Sequence, residues 1–291
     1  MKRSRAFALI VIASFLFGTS GIFVRLLNPY GFTSMQMTAI RGLVSAIALG
    51  IYILLNRKKK LHFQLKHLPW YLCSGLCMFI TAFLYYASME HTTIATSVVL
   101  MYSSPIYIVI FSALFLKEKM SAYKIVSLIL MLVGMALVSG IVGGIDFNPT
   151  GVILGIAAGV TYAVYNIVVK MCMEKGGDPT SSVLICYIVT GLCAGFFGDM
   201  PAMVGLTTQN PLLLWTLIVL LGLCTSTLPH LMYATALRAV PAGTASTLSL
   251  LEPLAAIVYA LVLFNEPLTL PLIIGGVLIL GGVFLIGKIK E

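Results

Sequence analysis

The sequence predicts an all-α membrane protein: ten transmembrane helices arranged as two inverted five-helix repeats, with both termini cytoplasmic. Three observations lead there. The 291 residues are 60% hydrophobic and only 9% charged, against roughly 45–50% and about 25% in soluble chains. Ten apolar runs follow one another, and the second half partly repeats the first at an offset of 148 residues. A mean hydropathy of +1.05 agrees with the composition.

The runs lie at about 6–24, 33–55, 68–88, 93–115, 121–141, 150–170, 181–199, 212–237, 243–264 and 270–287. Each comes close to the roughly 20 apolar residues that a hydrocarbon core of about 30 Å requires. Asn28-Pro29-Tyr30-Gly31 ends the first run, and Asn148-Pro149 precedes the sixth. Gly176-Gly177-Asp178-Pro179, Asn210-Pro211 and Pro241-Ala242-Gly243 separate the later ones. Such combinations favour turns. Ser121 and Thr269 are the expected N-caps of the fifth and tenth helices. The opening "MKRSRAFALIVIASFLFG" has the basic-then-apolar look of a leader. Its apolar part is long enough to span, and nine similar runs follow, so it is read as the first span.

Assigning loops alternately gives one face Lys2, Arg3, Arg5, Arg57-Lys58-Lys59-Lys60, Lys66, Lys117, Lys119, Lys124, Lys170, Lys175, Arg238, Lys288 and Lys290. The other face receives Arg25 alone. Cytoplasmic loops carry the excess of basic residues, so the first face is cytoplasmic. The same clustering accounts for the net charge of +9 without nucleic acid, since no basic stripe exists. Six cysteines fall in or at the ends of apolar runs. They read as small buried hydrophobes, Cys73 and Cys77 included despite their i, i+4 spacing. No metal site or cofactor is expected.

The repeat is legible without gaps. "YYASMEHTTIATSVVLMYSSPIYIVIFSALFLKEKMS" from Tyr85 aligns with "YATALRAVPAGTASTLSLLEPLAAIVYALVLFNEPLT" from Tyr233. Thr96 meets Thr244, Leu100 meets Leu248, Pro105 meets Pro253, Glu118 meets Glu266 and Gly134 meets Gly282. Units of 1–145 and 146–291 each hold five spans. Five is odd, so the second copy enters the membrane from the opposite face. Inverted repeats place a substrate site near the midplane between the halves.

With its doubled five-helix unit, a Pro in span 4 or 9, a Glu at that span's end and a Gly-rich span after it, the chain resembles the EamA-type carriers of the drug/metabolite transporter superfamily. The residues are "SSPIYIVIFSALFLKEKMSAYKIVSLILMLVGMALV" and "LEPLAAIVYALVLFNEPLTLPLIIGGVLILGGVFLI". The resemblance covers essentially the whole chain. It implies a ten-helix fold with a central cavity that moves small metabolites, often outward. Phe17 and Tyr162 stand where the family often has a tryptophan.

Among the polar residues inside spans, Arg41 and Glu252 are the two deep charges. A charge at the bilayer centre costs roughly 2.5–3.5 kcal/mol on insertion scales, so both invite a functional reading. Glu252 is the expected cavity ligand for a cation or a proton. Arg41 is assigned a structural role, with an ion pair to Glu252 open. His230 is the second cavity candidate, placed by the turn near Pro241 opposite Glu252. Tyr85, Tyr102, Tyr162, Ser104, Ser249 and Asn166 are the further expected lining residues. Pro105 and Pro253 break their helices, because each withholds an N–H from the carbonyl four residues back, Met101 and Ser249. Small-residue positions Gly134, Gly275-Gly276 and Gly281-Gly282 are expected to permit close helix packing.

The functional expectation is a secondary transporter in the cytoplasmic membrane. It would move an amino acid-like or drug-like solute, outward, by alternating access, with protons as the coupling partner considered. No phosphate-binding loop offers direct ATP drive. The alternative is an intramembrane enzyme or a lipid-group flippase or transferase, against which stands the lack of a Ser/Lys, paired-carboxylate or His-cluster motif. A sensor or scaffold would want a soluble signalling domain that the sequence lacks.

Overall fold

The computed structural model of the chain describes residues 3–55, 64–92, 94–138, 148–264 and 269–288. Lys2, Arg57-Lys58-Lys59-Lys60, Glu266 and Lys290 lie outside the described residues. What is described is helical, in the order of the ten runs. Span 1 is α1 (Arg3–Gly18) continued by α2 (Ser20–Leu27), span 2 is α3 (Ser34–Leu55) and span 3 is α4 (Leu68–His91). Span 4 is α5 (Ile94–Tyr102) and α6 (Ser104–Phe115), span 5 is α7 (Ala122–Val138), span 6 is α8 (Pro149–Glu174) and span 7 is α9 (Pro179–Phe197). A short α10 (Met200–Leu206) leads into span 8, built from α11 (Pro211–Gly222), a π-helical turn (Leu223–Thr227) and α12 (Leu228–Ala236). Span 9 is α13 (Ala242–Ser249) and α14 (Leu251–Phe264), and span 10 is α15 (Leu270–Gly287). Eight of these segments are long and apolar enough to cross a membrane; spans 5 and 10 are shorter apolar helices.

Local sequence explains the boundaries. Asn148 caps α8, its side-chain oxygen accepting from the N–H groups of Thr150 and Gly151 at 3.0 and 3.3 Å. Asp178 does the same for α9 through Ser181 N–H at 2.9 Å. Ser121 accepts from Lys124 N–H at 3.2 Å, as expected of a cap. Thr269 sits at the N-cap of α15 without a side-chain bond. Pro271, at the second helical position, has removed one of the two donors such a cap would reach.

Spans 4 and 9 are both interrupted, at Ser103 and at Leu250. These are equivalent positions in the repeat to within one residue, just ahead of Pro105 and Pro253. A proline clashes with the carbonyl four residues back and disfavours helical backbone at its predecessor. The hydroxyl groups beside the breaks turn inward on their own helices. Ser103 donates to Leu100 O at 2.6 Å, and Ser249 donates to Ala245 O at 3.1 Å.

The packing partners come in matched sets. α4 packs on α8, and the repeat equivalents α12 and α1 also pack together. α5 and α6 pack on α8 as α13 and α14 pack on α1; α4 packs on α9 as α11 packs on α3. The remaining large contacts, α3 on α9 and α7 on α15, join equivalent helices of the two halves. Both joins are antiparallel. Gln36, early in α3, donates to Asp199 O just beyond α9 at 3.2 Å, while Ser127, early in α7, donates to Gly282 O late in α15 at 2.6 Å.

Close approach at these joins depends on glycine. A Cβ on Gly42 would overlap the backbone of Gly191, and one on Gly134 would lie 2.6 Å from Gly275 O. Gly281 has open space around it and carries no such contact. Gly42→Leu is therefore expected to prevent α3 from seating on α9. Overpacking of this kind costs about 1–3 kcal/mol or more. Fluorescence-detected size exclusion should show loss of the monodisperse peak, while Gly50→Leu, at a position with nothing within 4 Å, keeps it.

Two expectations need correction. Lys124 and Lys170 were grouped with the loop charges, yet both lie within helices and are buried, at 1% and 6% exposure. Each has found carbonyl or carboxylate partners that loops and helix ends supply. Cys73, expected inside, is exposed on the outer face of α4, where an apolar side chain facing lipid carries no penalty.

Candidate functional site

A cavity of about 370 Å³ lies where spans 1, 3, 4, 5, 9 and 10 meet. Glu252 is the sole ionisable carboxylate or base among its described lining residues. Tyr85 and Tyr102 supply phenol groups, and Val98, Met135, Val138, Ile257, Leu261 and Leu272 supply apolar wall. Tyr102 lies within electrostatic reach of the Glu252 carboxyl. Glu252 reaches the cavity because Pro253 interrupts span 9, and the same break lets α1 approach closely. A Cβ on Gly18 would stand 3.0 Å from Glu252 O. Span 6 treats the break in span 4 alike, with Gly159 set 3.0 Å, by the same measure, from Leu100 O.

Among the described residues, the cavity lining extends toward one end of the bundle and stops short of the other. Its lining continues from Glu252 along α14 through Ala256 and Ala260 to Leu261, and meets Gly21 of α2 and Leu272 at the start of α15. Toward the other end, every residue of 242–248 in α13 is buried. There Glu118 accepts from Ala242 N–H at 2.6 Å and from Gly243 N–H at 3.3 Å, and pairs with Lys124 Nζ at 3.3 Å. A carboxylate on the first N–H groups of a helix is favourable both as a cap and against the helix dipole. Lys170 works beside it, donating to Leu237 O at 2.9 Å and Val240 O at 3.1 Å in the turn between α12 and α13.

The other expected site residues are distributed around this centre. Arg41 makes no ion pair with Glu252 among the described residues. It donates through Nε to Ser226 Oγ at 2.8 Å and through Nη2 to Thr225 O at 3.2 Å. Thr225 O is the carbonyl that Pro229 leaves without its helical donor, so Arg41 fills a vacancy made by the π-turn of span 8. From there its charge is within electrostatic reach of Glu252, Tyr162, Tyr187 and His230. His230 is buried away from the cavity lining. Its Nδ1 lies 3.1 Å from Ser226 O and 2.8 Å from the Tyr187 hydroxyl, and Phe17 meets its ring edge-on at 4.6 Å. Asn166 joins spans 6 and 8, accepting from Tyr233 Oη at 2.7 Å and donating to Tyr162 O at 2.8 Å. Tyr162 stacks on Tyr165 at 5.7 Å. Ser104 and Pro105 are buried at the start of α6, and Pro253 borders the cavity.

Several participants carried no signal beforehand. Tyr187 looked like any aromatic in an apolar run. Met135, Val138 and Leu272 resemble the lipid-facing residues beside them. Pro229 did carry one, because a proline inside span 8 frees a carbonyl that something must satisfy.

Comparison with known proteins gives a consistent result. The profile of the EamA-like transporter family matches twice, over residues 4–140 and 149–288. An uncharacterized transporter of Archaeoglobus fulgidus is 27% identical over 275 residues, covering 94% of this chain and 93% of that one. The uncharacterized transporter YwfM of Bacillus subtilis is 26% identical over 261 residues, covering 89% and 86%. A crystal structure sharing 20% identity superposes with a TM-score of 0.80 over 98% of this chain and 96% of that chain, which establishes the fold. Two copies of one family unit, borne by a multi-pass apolar chain, make this protein a member of the EamA-like transporter family.

Proposed function

We propose that the chain is a secondary carrier that moves a small organic solute, amino acid-like or drug-like, out across the cytoplasmic membrane by alternating access, with Glu252 exchanging protons. The observation that carries this reading is the Glu252 cavity, lined from both halves, with a packed bundle around α13 at one end. A carrier needs a central site that faces one side at a time. Units of 1–145 and 146–291 would be the two bodies that rock against each other.

Inverted topology is supported by the same contacts. The end of span 4 meets the start of its repeat equivalent, span 9, through Glu118 and Ala242. Equivalent helices whose opposite ends meet run in opposite senses. The excess of basic residues at the ends sharing Lys117 and Arg238 supports placing those turns, and both termini, in the cytoplasm.

Flux in proteoliposomes tests transport, with labelled metabolite pools screened for protein-dependent exchange. Topology has its own test. Single cysteines at Lys117 and Thr269, in a background without the native cysteines, are expected to react with an impermeant maleimide from opposite faces. Reaction of both from one face would remove the inverted arrangement and with it the two-body mechanism.

A further inference from the structure

Among the described lining residues Glu252 is the one carboxylate or base, and the Arg41 charge that reaches it electrostatically stands outside the lining. Arg41 is turned to Thr225 O and Ser226 Oγ and is absent from the lining, and no ion pair to Glu252 exists among the described residues. Tyr85 and Tyr102 line the same cavity as the carboxyl, and Val98, Met135 and Ile257 contribute apolar wall. A charge taken from water into such a site needs an opposite charge or dense hydrogen bonding. A solute carboxylate would find no cation among the described lining residues and would face repulsion from Glu252. A solute ammonium meets Glu252 directly, with phenol oxygens to accept its other N–H groups and phenol rings near it. At about 370 Å³ the cavity lies at the small end of the ligand-pocket range.

Resting on the carrier reading, we infer that the solute is a small organic cation: a protonated amine whose ammonium lies at Glu252 and whose apolar body lies against Val98, Met135 and Ile257. The amine-bearing head supplies the charge that the cavity lacks, and the body replaces water along the apolar wall. Zwitterions are disfavoured because their carboxylate would be desolvated with no positive partner among the described lining residues.

Three solutes with nearly the same aromatic body separate the classes: 2-phenylethylamine, phenylalanine and 3-phenylpropionate. Labelled phenylethylamine is measured on the purified full chain in lipid nanodiscs, with the other two as competitors. The expected result is saturable amine binding at least about ten-fold tighter than phenylalanine, and no competition by phenylpropionate. Glu252→Gln is expected to weaken amine binding by about ten-fold or more. Ile257→Trp, which fills the cavity, is expected to weaken it as well. Both variants are first checked for the wild-type elution profile. Should either fail to fold, the wild-type series still decides. No saturable amine binding, phenylalanine binding as tightly as the amine, competition by phenylpropionate, or full binding by a folded Glu252→Gln protein would each overturn the inference. Vesicle uptake above protein-free controls keeps the two readings apart. An amine that binds but never crosses sinks the carrier and leaves the ligand class standing. Transport of phenylalanine without the amine does the reverse.

Discussion

Glu252→Gln is expected to abolish the pH dependence of flux while leaving a folded protein, and Arg41→Leu is expected to do damage of the opposite kind. Glutamine keeps the shape of the carboxyl and an acceptor oxygen at the cavity wall. It removes the group that can take and release a proton. Stability should change by no more than about 1 kcal/mol, the size of one typical hydrogen bond. Leucine at position 41 instead strips Thr225 O and Ser226 Oγ of their donor. The freed carbonyl sits at the π-turn of span 8, with Pro229 unable to serve it. A buried polar group left unsatisfied costs about 1–3 kcal/mol, and more where the lost partner was charged. Thermal midpoints in detergent should therefore fall further for Arg41→Leu than for Glu252→Gln, whereas the loss of pH-dependent flux should rank the other way. An Arg41→Leu protein as stable as wild type would remove the structural role. Unchanged pH dependence in Glu252→Gln would remove the proton role.

The fold was readable because each of its determinants is local or periodic. Run lengths set the spans, Pro105 and Pro253 set the breaks, and the 148-residue offset set the pairing of halves. The site was readable only where a residue violates its surroundings. Glu252 stands out in "LSLLEPLAAIVYALVLF" because a carboxyl among leucines must be explained. Tyr102, which lines the same cavity, was within reach of the same reasoning. His230 was misjudged in its surroundings because helical phase gives a direction and not a neighbour. α12 packs on α1 and α9, so Phe17 of α1 meets the imidazole edge-on and Tyr187 arrives from span 7 to bond it. The apolar wall was invisible in principle. In water a buried face differs from an exposed one by polarity, while in lipid both faces are apolar. Met135 and Val138 cannot be told from lipid-facing neighbours until the packing is known.

The same blindness applied to Glu118 and Lys124, which look like charges at the end of a span and are instead its seal. Glu118 holds two N–H groups of α13 and the ammonium of Lys124, whose side chain is 1% exposed. Glu118→Ala leaves that ammonium buried without its carboxylate and orphans the start of α13. Breaking a buried pair from one side costs about 3–5 kcal/mol, whereas replacing both members by apolar groups is often neutral. Glu118→Ala alone should thus lower the thermal midpoint sharply, and adding Lys124→Met should restore part of it. The two orphaned N–H groups keep the double variant below wild type. A single variant as stable as the double would mean that the pair is not coupled. Under alternating access the seal must also part in every cycle. Glu118→Gln retains the shape and an acceptor oxygen but gives up the charge that binds Lys124. It should therefore spend more time open at this end. A cysteine at Ser246, 3% exposed in the sealed α13, should react faster with a maleimide in Glu118→Gln than in the wild-type background. An unchanged rate would mean that this end is held by packing alone, and that the ion pair stabilises the bundle without governing access.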